Sequence, residues 1–90
     1  MSFDPNKIQD WFVQGVNAYQ RGNLSQARFF LKKIIQISDH YDANYFMGLT
    51  YAKQNNLNKA RAYFLKAILL NPDSTEAYFN LGYSLHLDKK

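Results

Sequence analysis

Two histidines, His40 and His86, are the only imidazoles in this chain, and there is no cysteine. A metal site built on histidine needs a second ligand one helical turn away, and neither residue has one. In His86-x-Asp88 the two side chains are two positions apart, where helical neighbours do not face each other. Without cysteine there is no thiolate zinc site, disulfide or thiol nucleophile, and no glycine-rich phosphate loop or nucleophile elbow occurs. These residues point away from an enzyme, and no metal or cofactor is expected. His40 is read as a turn residue and His86 as a groove or surface residue. Asp39 and Asp42 are read as charges favourable at a helix start.

The chemistry the chain does carry is that of rings. Seven Phe, seven Tyr and one Trp in 90 residues require burial or a partner, which excludes a disordered chain. The net charge of +4 is spread, the longest basic run is a pair, and acids are interspersed. This pattern describes a solvated surface better than a phosphate-tracking stripe. No apolar run approaches the ~20 residues of a membrane span. Met1-Ser2-Phe3-Asp4-Pro5 has neither the basic start nor the apolar stretch of a secretory signal, so a cytoplasmic setting is expected.

The elements positioning these rings are helices. Asp4-Pro5 is an N-cap followed by proline at the first helical position. Apolar residues then recur from Ile8 through Trp11, Phe12 and Val16 to Tyr19, with a stop at Gly22-Asn23. Further helices are expected at about Leu24–Ile37, Tyr41–Gln54 and Leu57–Leu70, the last closed by Asn71-Pro72. Asp73 with Glu76 reads as a capping box opening a fifth helix that runs to about Leu87. The short connections make neighbours antiparallel.

The chain also repeats itself. Gly15 and Gly48 are 33 residues apart, Gly48 and Gly82 are 34 apart, and Leu24/Leu57, Ala27/Ala60, Arg28/Arg61 and Lys33/Lys66 share the 33-residue offset. In the middle copy, Met47-Gly48, Tyr51, Ala60, Phe64 and Pro72 match the consensus of the tetratricopeptide (TPR) repeat, which the chain therefore resembles. Asn44 departs from its tryptophan slot. The first copy keeps Trp11, Gly15 and Ala27 but departs at Gln14, Ala18, Leu31 and Asp39. The third copy begins with Tyr78, Leu81-Gly82 and Leu85.

The resemblance implies an all-α fold, a right-handed α-solenoid of antiparallel helix pairs with about two and a half repeats in five helices. Residues 1–90 then form one domain, with repeat 1 at about 8–40, repeat 2 at about 41–74 and a half repeat 3 at about 75–88. The half repeat is compatible with a fragment of a longer protein, and Lys89-Lys90 makes a polar finish. Tyr78 and Leu85, which would face a sixth helix, are expected to be partly exposed and are candidates for self-association.

On the third helix, Asn44, Met47, Gly48 and Tyr51 cluster on one side, whereas Asp42, Tyr45, Leu49, Ala52 and Lys53 cluster on the other. The second set would line the inner curve of an array. Its equivalents are Gln9, Phe12, Val16, Tyr19 and Gln20 before it, and Glu76, Phe79, Tyr83, His86 and Leu87 after it. Phe12, Tyr45 and Phe79 occupy one slot and Val16, Leu49 and Tyr83 the next. An apolar stripe opposite the packing face implies a partner. The competing reading is that first-slot rings pack between neighbouring first helices.

The partner-binding candidates are Phe12, Val16, Tyr19, Tyr45, Leu49, Lys53, Phe79, Tyr83 and His86. Family members that hold acidic chaperone C-termini use a carboxylate clamp, but the matching positions here are Phe12, Val16, Phe46, Glu76 and Asn80, so no clamp is expected. The expected function is a scaffold that docks an apolar or aromatic segment of another protein. Homo-oligomeric assembly is the alternative. Weak nucleic-acid binding through a ladder of Arg28, Lys32, Lys33, Arg61 and Lys66 comes third.

Overall fold

The computed structural model describes residues 5–88. Five helices follow one another: α1 (Pro5–Gln20), α2 (Leu24–Ile35), α3 (Tyr41–Lys53), α4 (Leu57–Leu70) and α5 (Thr75–Asp88). Each packs on the next, and α1 also touches α3. The molecule is elongated, 46 × 28 × 18 Å, as expected when helix pairs stack along one direction. This is an all-α helical-repeat solenoid. The Asp4 cap, the Leu87 side chain and Lys89-Lys90 lie outside the described residues.

The two turns inside helix pairs are built alike. Gly22 (φ +82°) and Asn55 (φ +62°) take the left-handed conformation at equivalent positions, one allowed to glycine and tolerated by asparagine. The next residues, Asn23 and Asn56, accept the Gln26 and Lys59 backbone N–H groups and so cap α2 and α4. The α2 helix ends two residues before the expected Ile37, because the Ile37 and Ser38 N–H groups both turn back to the Ile34 carbonyl.

Of the caps between pairs, the one at α5 differs from the expectation. At α3 the cap is His40, whose Nδ1 accepts the Ala43 N–H at 3.0 Å. At α5 it is Ser74, not Asp73: Ser74 Oγ accepts the Ala77 N–H at 3.1 Å and is also hydrogen-bonded with the Tyr41 hydroxyl. That second bond ties the start of α5 to the start of α3. It explains why the buried serine takes the role in place of the exposed aspartate beside it.

Leu31, Ile34, Ala43 and Met47 form the buried centre, with Trp11, Phe12, Phe46, Tyr51 and Tyr63 packed around it. Small residues let helices close on one another. A Cβ at Gly48 would stand 2.6 Å from the Phe64 ring, and one at Gly15 would stand 3.1 Å from Leu31. Phe64, Ala60 and Ala67 on α4 are wholly buried, as is Ala77 on α5.

Candidate functional site

The stripe read from the first helices divides into a bound part and an open part. The bound part lies between α1 and α3. Phe46 is its hub, with ring centroids 5.7 Å from Phe12, 5.6 Å from Tyr19 and 5.7 Å from Tyr45, all edge-on. Phe12 also meets the His40 ring at 5.7 Å, and Lys53 Nζ sits 4.8 Å above the Tyr19 ring. Edge-to-face contacts of this kind favour ring packing beyond area burial.

Tyr45 carries the floor across to α5. Asn80 Nδ2 donates to its hydroxyl at 3.0 Å, and its ring lies 6.0 Å from Tyr41 and 5.9 Å from Phe64. Burial raises the Tyr45 hydroxyl above its ordinary value, the Glu76 carboxylate raises it further, and the Asn80 bond lowers it in part. Burial alone raises Tyr19.

The open part begins beyond Tyr45. Val16 and Leu49 are half-buried, whereas Phe79 is 71% and Tyr83 55% exposed, and His86 and Lys53 are exposed too. Thus Phe12, Tyr19 and Tyr45 are already packed between helices, and Phe79 and Tyr83 are the inner-face rings most open to another molecule. Tyr78 and Leu85 on α5 are 51% and 45% exposed, and Leu65 and Leu69 on α4 are 50% and 80% exposed.

Sequence reading missed the importance of Phe46. The helical wheel places it about twenty degrees beyond Lys53, at the rim of the inner set. A wider arc would have included it.

The outer-face cations are partly engaged. Arg28 Nη1 donates to Gln54 Oε1 at 2.6 Å and lies 4.9 Å over the Tyr51 ring. Arg61 pairs with Asn58, and Lys33 lies 5.6 Å over Trp11. Among the described residues, no group of three His, Cys, Asp or Glu is placed to hold a metal ion. No helix among them is long and apolar enough to cross a membrane.

Residues 48–88 match the family described as TPR repeat. The chain is also similar to cell division cycle protein 27 homolog B of Arabidopsis thaliana, at 39% identity over 51 residues. That stretch is 57% of this chain but only 7% of the relative. Repeats of this family generally mediate protein–protein interaction and generally act as non-catalytic scaffolds. The 33-residue recurrence, the stacked antiparallel helix pairs and these two similarities together support a tetratricopeptide repeat protein.

Proposed function

We propose that the protein is an adaptor that docks an apolar or aromatic segment of another protein along the inner face of its first helices, in a cytosolic setting. One observation carries this reading. Phe79 and Tyr83 remain 71% and 55% exposed on a face whose floor is held by the Tyr45–Asn80 bond. Large rings left in water on a pre-organised surface are the usual anchors of an interface. Carboxylate recognition does not fit, because Glu76 faces any acid and Asn80 is already bonded to Tyr45 and to the Glu76 carbonyl.

Selection of displayed random peptides on the wild-type chain tests the proposal. The expected result is enrichment of sequences rich in aliphatic and aromatic residues. Affinity should fall at least about tenfold in Phe79→Ala/Tyr83→Ala, as for truncated anchor residues, and vary little with salt. Peptides enriched for a free acidic terminus, or equal binding by the double variant, would overturn it.

A second reading, assembly of identical chains, draws on the exposed Leu65, Leu69, Tyr78 and Leu85 of α4 and α5. Sedimentation equilibrium across concentration separates the two, since a strict monomer eliminates assembly. Nucleic-acid binding has less support, given the engagement of Arg28 and Lys33, and would show a steep fall in affinity with salt.

A further inference from the structure

At the junction of the two repeats lies a crevice of about 390 Å³, away from the aromatic stripe. Ile35 and Asp39 approach from the end of α2 and its loop, Asn44 from α3, and Lys66, Leu69 and Leu70 from α4. The volume is far more than the ~10–15 Å³ one buried water requires, and falls within the range of ligand pockets.

Asn44 is the notable member. It is only 4% exposed, and its Nδ2 donates to the His40 carbonyl at 2.9 Å. A carbonyl can only accept, so this bond fixes which end of the carboxamide is nitrogen. The other end, Oδ1, is buried and has no hydrogen-bond partner among the described residues. Such an orphan acceptor is costly.

The first repeat indicates what belongs there. At the 33-residue offset, Asn44 stands where Trp11 stands and Lys66 where Lys33 stands. In repeat 1 the indole is present, half-buried, with Lys33 Nζ 5.6 Å from its ring. In repeat 2 the indole is missing, the cation is retained at the crevice wall, and a void remains.

We propose that this crevice receives the indole ring of a tryptophan side chain supplied by a partner protein. Ile35, Leu69 and Leu70 meet its apolar body, and Lys66 meets its π face. The indole N–H supplies the donor for which Asn44 Oδ1 and the Asp39 carboxylate both compete. Asp39 also disfavours an anionic ligand, which separates this site from a phosphate or carboxylate pocket.

Amide-detected NMR of the full chain, titrated with N-acetyl-tryptophanamide, tests the proposal. Expected are saturable shifts at Asn44, Lys66 and Leu70. Binding should weaken by about three- to tenfold for the indole-N-methylated probe or for N-acetyl-phenylalaninamide, which lack the donor. Asn44→Leu should reduce that preference, and Asn44→Leu with Asp39→Ala should erase it. Leu69→Ala, at an exposed position that leaves the core intact, should weaken every probe, whereas Tyr83→Ala should weaken none. Equal binding of the methylated probe, shifts confined to Phe79 and Tyr83, or no saturable shift because the crevice holds only water would each overturn it.

Discussion

Gly48 and Gly82 occupy the same place in successive repeats and have opposite consequences. A methyl at Gly48 would meet the wholly buried Phe64 ring at 2.6 Å, whereas at Gly82 it would meet nothing within 4 Å. We expect Gly48→Ala to lose about 1–3 kcal/mol through overpacking, and Gly82→Ala to gain roughly 0.5–1 kcal/mol from helix propensity. Urea denaturation of both variants checks this, and equal effects would refute it. Tyrosine ionisation makes a second residue-scale test. Burial raises the hydroxyls of Tyr19, Tyr45 and Tyr63 above 10.0. The fold therefore favours their neutral forms. Their contribution to stability is complete below pH about 10 and is lost as pH rises through the raised values. Tyrosinate absorbance recorded alongside circular dichroism should show these groups ionising late, with unfolding advancing as they do.

Helix boundaries in this chain are set partly by local chemistry and partly by contacts far along the sequence. Asn23 and Asn56 cap their helices through neighbours three residues on, and such caps are legible in a sequence. Ser74 is different, because its hydroxyl also meets Tyr41, thirty-three residues earlier. Reading Asp73-x-x-Glu76 as a capping box identified the right turn and the wrong residue, since nothing local reveals the Tyr41 bond. Ser74→Ala should cost about 1–2 kcal/mol, and Asp73→Ala should stay within about 0.5 kcal/mol. Thermal or urea unfolding of the pair decides between the two caps.

The whole molecule is a line of nearest-neighbour contacts, and its stability should be graded along that line. The α3 helix touches α1, α2 and α4 and carries the buried Ala43, Met47 and Gly48. The α5 helix packs chiefly on α4, with Tyr45–Asn80 and Tyr41–Ser74 as links back to α3. Hydrogen exchange should therefore open α5 amides first and α3 amides last. Uniform protection across all five helices would contradict this grading. Phe64→Ala should remove about 3–5 kcal/mol, as for a buried ring, and speed exchange most at the α3–α4 junction, where the ring meets Gly48 and Tyr45.

Periodicity and recurrence were enough to determine five helices, their pairing and the glycine slots, because those follow from spacing along one chain. Trp11, Asn44 and Tyr78 were likewise recognisable as one slot with three occupants. Which inner-face rings are already spoken for was decided only in three dimensions. Phe46 gathers Phe12, Tyr19 and Tyr45 into a half-buried cluster, while Phe79 and Tyr83 stay in water. A helical wheel gives the direction of a side chain but not the distance to the next helix, and that distance separates a packed ring from an available one.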